Sequence, residues 1–236
     1  MNKFESIKQY RNAVENNLLF KLKTVLSVKS DLRKALQSIP KEGFEKIKKE
    51  YGNYDPHPGY SKYLDVKPWM LDNVWRVHLL GLDNAKSPKA ILDIGTGNGY
   101  FPQLCKQYGH TVRTIDIDFN PIFNSLIKLL EIPRLDYAVK AYEHIPPFDV
   151  KFDIVTGFHT YFNGHRTDYL WKWEEWDFFM KDLKNNLCNP DAEAFFIINT
   201  EPGDKVPYTP ELKEYFLSKG AEIDLDRVYF KNLHSF

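Results

Sequence analysis

The chain has 236 residues, 32 Lys/Arg against 32 Asp/Glu for a formal net charge of zero, and 43% hydrophobic residues, a composition typical of a globular protein with one sizeable core. No run approaches the roughly 18 to 20 apolar residues of a membrane-spanning helix, and the start MNKFESIKQYRNAVENN lacks the apolar core of a signal peptide. Cys105 and Cys188 are too few for a disulfide scaffold and have no metal-ligand spacing, so the expectation is a cytoplasmic protein with reduced thiols and no bound metal.

In chain order, Phe4, Ile7, Tyr10, Val14, Leu18, Leu22 and Val25 recur at helical steps and predict one long amphipathic helix. Ser30 reads as the N-cap of a second helix, which carries Leu32, Ala35, Leu36 and Ile39 and stops at Pro40. Tyr51 to Pro58 has loop chemistry, and after Pro68 the run WMLDNVWRVHLL is helical, closed by Gly81. Residues 1–50 carry twelve Lys/Arg against six Asp/Glu, leaving twenty against twenty-six behind them. Such a basic front end is either a solvated helix face or a footprint for a polyanion.

From Lys89 short β-rich runs alternate with helical ones: KAILDI, YFPQLCKQYG, TVRTIDI and PIFNSLIKLLEI. Strands are then expected near Leu135 to Lys140, at FDIVTGF and at AEAFFIINT, with a helix through EEWDFFMKDLKNNL. A helix at PELKEYFLSKG precedes two short strands, around Glu222 to Leu225 and Arg227 to Phe230. Seven strands with intervening helices predict a three-layer α/β sandwich. The expected division is an N-terminal helical cap over 1–85 and an α/β domain over 86–236.

Between the first strand and its helix lies Asp93-Ile94-Gly95-Thr96-Gly97-Asn98-Gly99. Glycines at a strand end let the backbone turn tightly and let a ligand approach the main chain. A dinucleotide loop would read G-x-G-x-x-G, but Tyr100 occupies the position where that spacing needs glycine. The pattern resembles the first motif of class I S-adenosylmethionine-dependent methyltransferases, and the likeness extends over roughly Lys89 to Phe230. It implies a Rossmann-like seven-stranded sandwich, mostly parallel with an antiparallel last strand, and S-adenosyl-L-methionine as cofactor. It further implies that Gly95, Thr96, Gly97, Asn98 and Gly99 pass under the methionine part, with Asp93 positioning its amino group. Asp116, twenty-one residues beyond Gly95, takes the place of the ribose ligand, followed by Ile117. A carboxylate there accepts two hydroxyl hydrogen bonds at once; the alternative is an ordinary strand-end turn residue. Asp118 is expected to be a turn acid or the N-cap of the helix beginning near Pro121. Many relatives carry an acid ending the third strand, where this chain has Ala141, so Tyr142 and Glu143 are the candidates for the adenine. Tyr60 and Lys62 fall where relatives close over the cofactor, and Tyr63 is a candidate on the acceptor side.

Ligands of open α/β sheets bind beyond the carboxyl ends of the strands, which directs attention to Thr156-Gly157-Phe158-His159-Thr160-Tyr161-Phe162-Asn163-Gly164-His165-Arg166. Methyl transfer from a sulfonium needs alignment and, for a hydroxyl acceptor, a base, a role suited to histidine. His159 and His165 are the candidate bases, each with a bland alternative as a loop hydrogen-bonder or cap. Tyr161, Asn163, Trp171, Asn199 and Glu201 are candidates for acceptor contacts. Trp176, Phe179, Met180, Leu183 and Leu187 have core spacing. The Asn/Asp-Pro-Pro-aromatic motif of base-methylating relatives is absent at this strand end. The function expected is methyl transfer to a small molecule, at oxygen. The alternatives are an RNA- or ribosome-modifying enzyme using the basic helices, and a non-catalytic cofactor-binding protein.

Overall fold

A computed structural model describes residues 18–52, 59–160, 162, 171–199 and 207–236. Seven strands form a sheet in the order β3-β2-β1-β4-β5-β7-β6. They are β1 (Ala90–Ile94), β2 (Thr111–Asp116), β3 (Arg134–Asp136), β4 (Phe152–Thr160), β5 (Cys188–Ile198), β6 (Glu222–Asp224) and β7 (Arg227–Phe230). The pairs β1–β4, β4–β5 and β2–β3 are parallel, while β7 runs antiparallel to both β5 and β6. This is the Rossmann-like arrangement with an antiparallel last strand. Among the described residues no helix is long and apolar enough to cross a membrane.

The described residues form two compact units, one of residues 89–95 and 137 onward, the other of those up to Pro88 together with 96–136. In the first unit β5 is buried along most of its length and Phe195 and Phe196 are wholly enclosed, as expected of a strand covered on both faces. Helices α6 (Trp173–Asp182) and α7 (Pro210–Ser218) bring Trp176 and Phe216 edge to face at 5.0 Å. Phe162 stacks on Trp176 at 4.7 Å, and Phe179, Met180, Leu183 and Leu187 are buried as their spacing predicts. The helix expected to run through Leu187 widens into a π-turn over Leu183–Leu187, and β5 starts at Cys188, ahead of the predicted AEAFFIINT. Pro190 and Asp191 lie in this early part, where β4 and β5 slip register between Phe152 and Ile154. A bulge tolerates a proline that a central ladder would not.

In the second unit α1 (Leu18–Ser38) is continuous through Ser30, so the break expected there is absent. Val28 and Ala35, on either side of Ser30, are buried, and tertiary burial of a helix face outweighs one weak helix former. The part of the predicted first helix before Leu18, and the loop over 53–58, lie outside the described residues. Helix α2 (Lys41–Tyr51) follows Pro40, and α3 (Val66–Leu80) ends on Gly81 in the left-handed conformation at φ +69°. Helix α4 (Tyr100–Gln107) follows the glycine loop, and α5 (Pro121–Leu129) follows β2. The α5 cap is Asn120 rather than Asp118: its side chain accepts from the N–H groups of Ile122 and Phe123, and Pro121 sits at the first helical position. A side-chain cap of this kind contributes about 1 kcal/mol. Strand β3 is shorter than the expected run to Lys140, because β2 ends at Asp116, the residue paired with Asp136, and offers no ladder beyond it.

Candidate active site

In the first unit, β1 leads into the glycine loop through Asp93, which is 2% exposed and accepts a 2.8 Å hydrogen bond from the hydroxyl of Thr156, its partner on β4. Gly95 follows at φ +72°, and a Cβ there would lie 2.4 Å from Thr160 Cγ2. Both the conformation and the close approach demand glycine. At the far end of β4 the ladder with β5 slips between Phe158 and Thr160, and the residue in the slip, His159, adopts φ +55°. A left-handed non-glycine residue costs on the order of 1 to 3 kcal/mol and persists only where its surroundings fix it. Here Asn199 is the fixing residue: its side-chain amide donates to the His159 carbonyl and its N–H to the Thr160 carbonyl, each at 3.3 Å. The His159 side chain stands at the exposed carboxyl end of β4.

In the second unit the loop continues through Thr96, Gly97, Asn98 and Gly99. Gly97 (φ +56°) and Gly99 (φ +76°) are also left-handed. A Cβ on Gly99 would lie 2.9 Å from Ile127 Cδ1 on α5, whereas one on Gly97 would meet nothing nearer than Phe123, at 3.5 Å. Gly99 thus permits close helix packing, and Gly97 is half-buried, with part of its main chain exposed. The N–H of Gly97 donates to Asp116 Oδ2 at 2.7 Å and that of Ile117 to Oδ1 at 2.8 Å. Burial pushes the Asp116 carboxyl above its usual range, while the Gly97 and Ile117 amides and, more weakly, Arg134 pull it back; Asp136 adds to the rise. Each carboxylate oxygen keeps a lone pair, so bracing the strand end leaves the group able to accept two further hydrogen bonds, the capacity a vicinal diol would require. Ile117 and Phe119 stand about two-fifths exposed just beyond it, at 44% and 42%. Thr96 Oγ1 is buried with no hydrogen-bond partner among the described residues. An orphaned hydroxyl, an accessible glycine backbone and a carboxylate with spare acceptor capacity fit an S-adenosyl nucleoside with its amino-acid tail.

Tyr60, Lys62 and Tyr63 lie in and beside a single helical turn, Ser61–Leu64, also in the second unit. Phe123, the ring nearest Gly97, is 5.2 Å from the Tyr60 ring and 5.1 Å from the Tyr63 ring. The Lys62 ammonium lies over the rings of Tyr63 and Trp69 at 5.2 and 5.3 Å, a cation–π arrangement. The structure therefore brings Tyr60, Lys62 and Tyr63 together beside Phe123.

The other candidates are dispersed. Tyr142 is left-handed (φ +59°), 55% exposed, and its hydroxyl donates to Glu175 Oε1 at 3.2 Å. Glu143 is paired with Lys140 at 3.4 Å. Trp171 is 7% exposed and packs on Phe162, Trp176 and Phe179. Tyr161, Asn163, His165 and Glu201 lie outside the described residues. Two groups escaped the sequence reading. Asp136 is an acid that does end the third strand; its carboxylate accepts from the Asp118 N–H at 3.0 Å, and it was missed because the strand was extended past it. His144 Nδ1 lies 2.5 Å from Asp182 Oδ1, whose other oxygen accepts from the Ile145 N–H. With Tyr142 and Phe178 this pair lines a cavity of about 340 Å³, and no local pattern joins residues that far apart in the chain.

Residues 72–168 match the model of a family described as a methyltransferase domain. No curated protein matches the chain. Among solved structures it is similar to ribosomal protein L11 methylase from Lactobacillus delbrueckii subsp. bulgaricus, with 18% identity, 68% of this chain and 78% of that one covered, and a TM-score of 0.43. It is also similar to a SAM-dependent methyltransferase from Aquifex aeolicus, with 19% identity, coverage of 64% and 86%, and a TM-score of 0.41. A third is DesVI from Streptomyces venezuelae, with 13% identity, a TM-score of 0.40, and 58% of this chain against 54% of that one covered, so the match spans about half of DesVI.

Proposed function

We propose, from the match of residues 72–168 to the model of a methyltransferase domain, that the protein is a class I S-adenosylmethionine-dependent methyltransferase that transfers the cofactor's methyl group to an oxygen of a small molecule. The observation that carries this reading is His159, held left-handed at the exposed carboxyl end of β4 by Asn199. Strain fixed at a strand end beyond which α/β proteins bind ligands is the mark of a functional position. An imidazole there takes the acceptor hydroxyl's proton as the oxygen forms its new bond.

S-adenosylmethionine supplies an already activated methyl group, so the residues serve mainly to bind and align. Asp116 and Ile117 hold the ribose end, and the Gly95 to Gly99 backbone with Asp93 holds the amino-acid end. Tyr60 and Lys62 reach that same end from the turn, and Tyr142 and Glu143 serve the adenine. Tyr63, Tyr161, Asn163, Trp171, Asn199 and Glu201 remain the acceptor-side set, with His165 a second candidate base. Asn199 contributes by fixing the backbone of His159.

A polyanionic acceptor finds little support in α2. Its exposed charged residues mix both signs, Lys41, Lys46, Lys48 and Lys49 with Glu42, Glu45 and Glu50, and Lys46 pairs with Glu42 at 3.4 Å. A mixed-sign helix face is a solvated surface rather than a phosphate track.

His159→Ala is expected to lower kcat about a hundredfold with cofactor affinity unchanged. Full turnover in His159→Ala would exclude His159 as the base.

A further inference from the structure

The glycine loop and the aromatic turn before α3 are joined by a residue that neither the motif nor the proposed contacts include. Tyr100 is the first residue of α4, directly after Gly99, and its side chain is fully buried. Its N–H donates to Asn98 Oδ1 at 3.1 Å, while its hydroxyl donates to the Tyr63 carbonyl at 2.8 Å. One end of this residue is therefore part of the loop, and the other end grips the backbone of the turn Ser61–Leu64. Burial pushes the phenol well above its ordinary range, so it stays a neutral donor. On its outer side the turn is closed by Trp69, whose ring N–H donates to the Lys62 carbonyl at 2.8 Å. Phe123 supplies a second link: its ring is the nearest group to a Cβ on Gly97, at 3.5 Å, and lies 5.2 and 5.1 Å from the rings of Tyr60 and Tyr63.

We propose that Tyr100 is a positioning residue for the cofactor: its hydroxyl holds the Ser61–Leu64 turn against the glycine-loop helix, so that Tyr60 and Lys62 meet the amino-acid end of the ligand from a fixed backbone. This rests on the cofactor reading above. Without the hydroxyl, the Tyr63 carbonyl loses a buried donor and the turn has a reason to move. Binding must then restore its order, and affinity falls by that amount. The helix itself and the packing of the Tyr100 ring are untouched by loss of one oxygen, so the effect is confined to the ligand and the turn.

The test is Tyr100→Phe, with Tyr215→Phe as control. The latter loses a hydroxyl hydrogen bond of similar length, 2.7 Å to Asp177, in the other unit. Calorimetric titration with S-adenosylhomocysteine should give a Kd about tenfold weaker in Tyr100→Phe and unchanged in Tyr215→Phe. Hydrogen exchange of the ligand-free protein should show faster exchange at the N–H groups of Tyr63 and Asp65, which close the turn on Tyr60 and Lys62, with α3 unaffected. Wild-type affinity in Tyr100→Phe, or unchanged exchange in the turn, would overturn the positioning role while leaving the cofactor reading intact. A wild-type protein that does not bind S-adenosylhomocysteine would overturn both.

Discussion

Asp116→Ala is expected to weaken cofactor binding by about a thousandfold. The carboxylate has two tasks, and alanine fails at both. It would accept the ribose hydroxyls, and charge-assisted hydrogen bonds contribute about 1.5 to 3 kcal/mol each. It also accepts from the N–H groups of Gly97 and Ile117, so its loss frees the loop that the ligand needs ordered. Asp116→Asn keeps acceptor capacity on one oxygen and should fall between the two. Burial places the Asp116 carboxyl above its ordinary range. The form that accepts on both oxygens is the ionised one, so affinity should decline on acidification at a higher pH than an unperturbed aspartate would give. Calorimetry with S-adenosylhomocysteine over a pH series checks both effects. Equal affinity in Asp116→Ala would contradict the assignment.

Gly95→Ala is expected to cost about 2 to 5 kcal/mol of stability, from two separable terms. The left-handed conformation at φ +72° costs an L-residue about 1 to 2 kcal/mol. The added Cβ falls 2.4 Å from Thr160 Cγ2, and relieving such an overlap in a packed site costs typically 1 to 3 kcal/mol. Thr160→Ser removes that methyl. In the double variant the clash term should vanish and the conformational term should remain, giving a coupling of about 2 kcal/mol in a denaturation cycle. Additive effects would mean that Gly95 and Thr160 do not touch.

The features legible in the sequence were those whose cause is local. The strand-turn-helix at Asp93 to Gly99 follows from glycines that alone tolerate positive φ, and all three of Gly95, Gly97 and Gly99 adopt it. The stop at Gly81 and the core stripe from Trp176 to Leu187 were equally plain. What went astray depended on partners elsewhere. Ser30 has the chemistry of a cap, but burial of Val28 and Ala35 carries the helix through it. The run from Leu135 to Lys140 has strand composition, yet its pairing ends with β2, so Asp136 and not Ala141 closes the strand. Asp118 and Asn120 are alike as cap residues, and the position of Pro121 decides for Asn120. For the candidate site, the sequence placed Asp116 at the strand end but could not reveal that it also closes the loop onto Gly97. Nor could it reveal Tyr100's bond to Tyr63, 37 residues away, or the His144–Asp182 pair. His159 was singled out by its place after the fourth strand, while the slip that turns its backbone left-handed arises from register with β5.

Methyl transfer to a small-molecule oxygen is tested most directly by following the methyl group itself. The protein would be incubated with S-adenosylmethionine isotopically labelled in its methyl group and a cell extract divided into low-molecular-weight and macromolecular fractions, with His159→Ala in parallel. Label is expected in a low-molecular-weight methoxy compound, greatly reduced with His159→Ala. Label in RNA or protein, or on nitrogen or carbon of the product, would contradict it.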